Sequence, residues 1–286
     1  MEQILVNGAI LSANYALIAL GITLIFGIMN VLNFAHGQMF MIGGLIVYTV
    51  CVVFKLPYAV GLLAAAVIVG LIGMLLERTL FQRVMRISSR EENTMLLAVG
   101  TALLLENIAL YVFGEKQRGI PPMVSGVYRL GSAFLPANRL LVFAISLALI
   151  AAVLLFVNFT RQGRAMRALA QDRTATMLMG VDVNRISMLG FGLGAALAGI
   201  AGGLLISVSG VNAGIGTAIS TKAFIMIMIG GAGVIGGALL GAVALGFAEA
   251  IGYALFPGSV TYLLIFTALI LFLLIRPQGI MGKPWG

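Results

Sequence analysis

The sequence predicts an all-α polytopic membrane protein with about 8–9 transmembrane helices, some of them broken or re-entrant. Three observations lead there. Of 286 residues, 61% are hydrophobic and 9% charged, against about 25% charged in a soluble domain. The apolar residues come in runs of spanning length, roughly 20 being needed to cross a bilayer as helix. Those runs are also too long and too evenly apolar for the alternating strands, about ten residues each, of a membrane barrel.

The runs lie at 4–29, 39–54, 58–76, 94–113, 140–157, 187–208, 235–255 and 259–275, with a short one at 223–229. No linker or low-complexity stretch divides them, so residues 1–286 read as a single transmembrane domain. The start, Met-Glu-Gln-Ile, carries an acid and no base, and reads as the beginning of the first helix, not as the basic lead of a signal peptide. Cys51 is the one cysteine and His36 the one histidine. A packed thiol accounts for the first, and with scattered acids the pair forms no metal site. A phosphate loop of the GxxxxGK[ST] kind is missing.

The net charge of +8 fits membrane orientation better than nucleic-acid binding, because the basic residues lie between apolar runs and not along one face. Arg78, Arg83, Arg86 and Arg90 fall in one connection, Arg161, Arg164, Arg167, Arg173 and Arg185 in another, and Arg276 with Lys283 in the tail. Lys55, Lys116, Arg118, Arg129, Arg139 and Lys222 fall at the opposite ends of the runs. The positive-inside rule then puts 78–93, 160–186 and the C-terminus in the cytoplasm and the N-terminus outside. The external connection 114–139, with Pro121, Pro122 and several glycines, reads as an irregular cap or a short helix.

Small residues mark where helices approach closely. In the sixth run, Gly190, Gly194, Ala198 and Gly202 form one ridge and Ala195, Gly199 and Gly203 a second beside it, which predicts tight packing on two sides. Gly233, Gly237 and Gly241 repeat the device.

Two stretches interrupt the apolar pattern. The first, NVLNFAHGQ at 30–38, sets Asn30, Asn33, His36, Gly37 and Gln38 between two apolar runs, where polar groups are expected to face a bundle interior or a watery cavity. His36 reads first as a fixture holding the broken backbone and second as a pathway contact. The other stretch, KAFIMIMIGGAGVIGGALLG at 222–241, opens with about seven apolar residues, too few to cross at 1.5 Å each. Gly230, Gly231 and Gly233 then predict a break. Interrupted helices near mid-membrane are where transporters expose polar groups to a solute. Lys222 reads as a snorkelling residue at the outer end. Glu106 and Glu249 stand inside apolar runs, as pathway residues, packing residues or proton carriers.

The connection RQGRAMRALAQDRTATMLMGVDVNRI at 161–186 contains sixteen residues, 164–179, without glycine or proline. It reads as one basic helix with Arg164, Arg167 and Gln171 on a face with Ala168 and Ala175. Gly180 is placed to stop it and Asp182 to cap the next span. Alanines allow close approach and arginines pair with acids, so the sharper reading is a docking helix.

This connection at 161–186, with YALIALGITLIFGIMNVLNFAHGQMFMIGG at 15–44, the glycine-rich KAFIMIMIGGAGVIGGALLGAVALGFAEA at 222–250 and the ending RPQGIMGKPWG, resembles the LivH-type permeases of the high-affinity branched-chain amino-acid ABC importers over nearly the whole chain. The resemblance implies the ABC importer permease fold, a bacterial inner-membrane location, a second related permease, two cytoplasmic ATPases that carry the ATP and magnesium, and a periplasmic solute-binding protein. It implies no cofactor and no catalysis in this chain, and a coupling helix at about 161–182 that includes Arg164, Arg167, Ala168, Ala170, Gln171, Asp172 and Gly180. The common E-A-A-x3-G pattern appears only loosely: Ala168, Ala170 and Gly180 are present, with no glutamate before the alanines. The same kind of permease serves urea, amides and small organic acids. A passive urea-type channel and a proton-coupled carrier using Glu106 or Glu249 are the readings from other classes.

Overall fold

The computed structural model describes residues 1–282 apart from Val31, Ser89 and Ser132, and of Glu91 and Leu130 it describes the backbone. Lys283 of the basic tail lies outside the described residues, as does Val31 within the 30–38 break.

Along the chain, α1 (Glu2–Met29) precedes α2 (His36–Tyr48), which runs on through a π-helical turn at Thr49–Val53. The next helix, α3 (Tyr58–Leu76), continues through a second π-helical turn, Glu77–Phe81, into α4 (Gln82–Ile87). Then come α5 (Glu91–Phe113), strands β1 (Val127–Leu130) and β2 (Ala133–Pro136), α6 (Ala137–Phe159), and the short α7 (Arg161–Gln171) and α8 (Arg173–Leu178). The chain ends with α9 (Val183–Leu205), α10 (Ile215–Gly230), α11 (Ile235–Leu255) and α12 (Gly258–Ile275). Among the described residues, 8 helical segments are long and apolar enough to cross a membrane, and each long run read from the sequence falls on one of them.

Helices this apolar carry no amphipathic stripe, so small residues decide which faces meet. At the centre are α1, buried along most of its length, and α9. Gly21 and Gly194 lie so close that a Cβ on either would meet the other's carbonyl oxygen. The first ridge of α9 thus rests on α1 through Gly190 and Gly194 and on α2 through Gly202, which abuts the Phe40 carbonyl. The second rests on α3, with Ala195 against Gly73 and Gly199 against Val69. The two-sided packing expected of this run is what the fold contains. Along α11, Gly237 and Gly241 receive the backbone of α10, but Gly233 is not in that ridge: it lies in the preceding turn with φ 78°.

Four expectations need correction. First, the helix containing Lys222 begins at Ile215, and its 16 residues span about 24 Å at 1.5 Å each, against the seven-residue stub read from the sequence. The internal charge broke the apolar run but not the helix. Second, the basic sixteen-residue helix is two, α7 and α8, because Asp172 turns extended (φ −154°, ψ 113°) and its side chain accepts from Ala175 N–H to cap α8. Third, of the two alternatives for the external connection, the irregular cap holds and the short helix does not: among the described residues, 114–136 is irregular chain plus the antiparallel β1–β2 hairpin, against whose Phe134 backbone the Gln3 side chain of α1 both donates and accepts. Fourth, Arg78, Arg83 and Arg86 belong to a helical extension of α3, not to an open loop. Gly180 at φ 79° does end α8, and the Asp182 carboxylate does cap α9 through Arg185 N–H at 3.1 Å.

The bundle therefore has a hairpin end and an α7 end. The Gly43 position tests the packing argument, since a Cβ there would run into the Gly199 backbone. Gly43→Leu is expected to cost about 1–3 kcal/mol or more through overpacking. Gly100→Ala on α5, with nothing within 4 Å of the new methyl, is expected to be neutral or stabilising by up to about 1 kcal/mol. Thermal unfolding midpoints in detergent check both.

Candidate substrate pathway and coupling surface

The interruption at 30–38 is built around backbone groups that a broken helix leaves without partners. Asn30, in the left-handed conformation at φ 53°, ends α1. The chain then turns back along the bundle, and α2 starts with His36 beside Ile18 and Gly21 of α1. Asn33 Oδ1 accepts from Ala35 N–H at 3.0 Å and so fixes the turn that leads into α2. His36, fully buried, places Nε2 3.2 Å from the Ile18 carbonyl. The Ser220 hydroxyl of α10 accepts from Gly37 N–H at 3.0 Å and donates to the Phe34 carbonyl at 2.8 Å. The Phe34 and Phe224 rings meet edge to face beside it, 4.7 Å between centroids. Gly37 is required here, because a Cβ would strike the Gly216 carbonyl. Gln38 donates to Glu106 Oε2 of α5 at 2.9 Å and to Thr217 Oγ1 of α10 at 3.4 Å. Asn33 Nδ2, His36 Nδ1 and Gln38 Oε1 are buried without a partner among the described residues.

Asn33, His36, Gly37 and Gln38 thus form one cluster where α2 and α10 meet. The glycines do not join it. Gly231 (φ 108°) and Gly233 (φ 78°) make the α10–α11 turn at the α7 end, where Gly233 lies against Phe26 and Gly27. Along α1, Gly27 is about 9 Å from Gly21. The tail closes on this turn: Ile280 N–H donates to the Ile229 carbonyl at 2.8 Å and Met281 N–H to that of Gly230 at 2.9 Å. Gly230, Gly231 and Gly233 are therefore a packed turn at a bundle end, and the reading of this break as a mid-membrane interruption gives way.

Lys222 does not snorkel. Its ammonium lies 2.8 Å from Glu249 Oε1 and donates to Tyr15 Oη at 2.7 Å, while Tyr15 donates to Glu249 Oε2 at 2.5 Å. The ammonium also sits over the Tyr15 and Tyr262 rings. Opposite charges in two apolar runs were the available signal for this pair, since intramembrane charges pair with one another. Ser220 and Thr217 were missed as well; their spacing of three, just before Lys222, puts hydroxyls along one stripe of α10.

At the α7 end, Thr160 caps α7 by accepting from Gly163 N–H, and Gly163, Met166 and Leu169 are buried beneath it. That leaves Arg164, Arg167, Ala168, Ala170, Gln171, Asp172 and Gly180 exposed. Next to this basic face, Met177, Leu178 and Met179 are 59%, 81% and 83% exposed, an apolar patch of the kind that marks a docking surface and that helix periodicity did not single out. A cleft of about 320 Å³ lined by Arg161, Asp182, Arg185 and Leu189 opens between α7 and α9.

A family model described as branched-chain amino acid transport system, permease component, matches residues 4–274. The chain belongs to this permease family. It is 33% identical over 296 residues to the high-affinity branched-chain amino acid transport system permease protein LivH of Escherichia coli K12, covering 99% of this chain and 96% of the relative. BraD of Pseudomonas aeruginosa, named for the same transport system, is 35% identical over the same shares. A probable LivH of Methanocaldococcus jannaschii is 30% identical over 314 residues. No solved structure matches the chain. The permease is a multi-span transport component, and the resemblance read from its sequence holds over its length.

The buried charge pair yields a test. Removing one partner of a buried pair costs about 3–5 kcal/mol, whereas replacing both is close to neutral. Lys222→Met is therefore expected to lower the unfolding midpoint sharply and Lys222→Met with Glu249→Leu to recover most of the loss, measured on purified protein in detergent.

Proposed function

We propose that the permease is one membrane subunit of an ATP-driven importer that carries branched-chain or other hydrophobic amino acids across the bacterial inner membrane. Its N-terminus is outside and its C-terminus in the cytoplasm. The relatives named for branched-chain amino acid transport support the cargo class, with urea, amides and small organic acids as the cargo alternatives. The gathering of three basic segments at the α7 end supports the orientation. Gln82 of α4 donates to the Asn184 carbonyl at the start of α9, and the tail beyond Arg276 joins the α10 end, so these segments are neighbours. Lys222 drops out of the external count, since it is paired inside the bundle.

The single observation that carries the ATP-driven reading is the exposed α7–α8 surface, basic on one helix and apolar at Met177, Leu178 and Met179. A self-sufficient channel has no use for it. Two cytoplasmic ATPases, binding ATP and magnesium, dock there; a second related permease completes the membrane part; a periplasmic binding protein delivers the solute at the hairpin end. Arg164, Arg167, Ala168, Ala170, Gln171, Asp172 and Gly180 form the coupling surface. ATP-driven motion of α7 reaches α1 through Ala170, whose Cβ lies 3.5 Å from where a Cβ on Gly27 would be. The pathway runs past Asn33, His36, Gly37 and Gln38 and leaves by Asn30. Relative movement of α2 and α10 opens it alternately to the two sides.

Affinity purification from native membranes tests this reading. The wild-type protein is expected to retain two ATPases and a related permease, and Arg164→Glu with Arg167→Glu to lose at least about nine-tenths of the ATPase, a loss of more than 1.4 kcal/mol, while its own folding is unchanged. Self-association without any ATPase would contradict it in favour of a channel or a proton-coupled carrier.

A further inference from the structure

The pairing of Lys222 with Glu249 leaves two acids within the bundle without an ion pair among the described residues: Glu77, fully buried with Gln82 on one oxygen, and Glu106, which is half-buried and open to a ligand. It lies on α5, about 10 Å inward from the helix end at Phe113, on a helix whose outward residues Leu103, Leu104 and Ile108 are apolar and exposed. Lipid against a carboxylate at that depth is costly, so the group needs a polar occupant. Its own hydrogen bonds, from Gln38 Nε2 at 2.9 Å and Thr217 Oγ1 at 3.0 Å, come from neutral donors. They fix the carboxylate without neutralising it.

The same three side chains have acceptor capacity left over. Glu106 Oε1 takes no hydrogen bond from a described residue, Thr217 Oγ1 has donated its proton and keeps lone pairs, and Gln38 Oε1 is buried and unpartnered. Gly216 makes room for the Gln38 amide, since a Cβ there would collide with it. Thr217 is exposed and Glu106 half-buried, so the cluster opens outward beside the α2–α10 junction. Gln38 Oε1 faces Gly216, so Gln38 holds the carboxylate through Nε2, and Glu106 Oε1 with Thr217 Oγ1 are the acceptors open to a ligand; an ammonium group brings donors and one positive charge to match them.

We propose that Glu106 and Thr217, with Gln38 holding the carboxylate in place, receive the α-ammonium group of the amino-acid cargo as it passes the α2–α10 junction. This deepens the importer reading and rests on it. Such a site grips what all amino acids share and ignores the side chain, so it sustains passage of leucine, isoleucine and valine alike. One exposed-side carboxylate holds weakly enough to release.

The test uses the complete importer, purified with its subunits and reconstituted in lipid vesicles with its binding protein, with labelled leucine as the probe. Glu106→Gln is expected to keep the subunits and the stimulated ATP hydrolysis, yet move at least about tenfold fewer leucines per ATP. Glu106→Asp is expected to regain much of that ratio. A Glu106→Gln ratio within about twofold of wild type overturns the proposal. So does joint loss of subunits and hydrolysis unrelieved by Asp, which would make Glu106 an anchor for the neighbouring subunit. Failure of the wild-type importer to take up any branched-chain amino acid would instead refute the importer reading.

Discussion

The α2–α10 junction of this permease follows from one constraint: backbone groups left free where a helix starts beside the middle of another, as α2 does at Ile18 of α1, must find partners there. The chain stops and restarts a helix between Asn30 and His36, and the cost is met locally. Asn33 fixes the turn before the restart through Ala35 N–H, Ser220 serves a carbonyl and an N–H at once, and His36 reaches the Ile18 carbonyl. Because Ser220 belongs to α10, these same bonds join α2 to α10. A chemical necessity of the break thus becomes the contact between the two helices best placed to move apart. Three buried polar atoms at the junction, on Asn33, His36 and Gln38, have no partner among the described residues, whereas the packing around it is apolar.

That packing supplies the fixed frame. Glycine and alanine ridges on α9 bring α1, α2 and α3 within backbone contact, and the Lys222–Glu249–Tyr15 cluster fastens α10 to α11 and α1 without leaving net charge in the bundle. Against that frame, α7 and α8 lie at one end with their polar and apolar groups outward, and Ala170 beside Gly27 places α7 next to the last turns of α1. Force applied at α7 is thereby delivered to the helix from which α2 is suspended.

Much of this was legible in the sequence, because span length and small-residue spacing are local properties. The long apolar runs, the two ridges of α9 and the Asp182 cap needed no knowledge of neighbours. What was not legible depended on contacts between distant segments. Lys222 broke the hydropathy of α10 and hid its first half; only Glu249, 27 residues on, makes that charge compatible with a span. The 164–179 stretch had uniform helix propensity, but Asp172 gains more by capping α8 than by continuing α7. Glu106 could be noticed as an intramembrane acid, yet its partners Gln38 and Thr217 lie 68 and 111 residues away. Glycines at 230–233 looked like a second interruption because sequence spacing carries no depth, and their place at the bundle end depends on the tail folding back onto them.

The central claim is that the α2–α10 junction opens as the importer works, and Ser220 lies at its heart, buried at 4% exposure. The most direct measurement is the reactivity of a thiol there, in a Ser220→Cys variant with Cys51→Ala that retains uptake, toward a membrane-impermeant reagent. With the importer held in nucleotide-free and ATP-trapped states, the labelling rate is predicted to differ by at least about tenfold, as a shift between closed and open populations requires. Equal protection of the thiol in every state of an active importer would contradict the account.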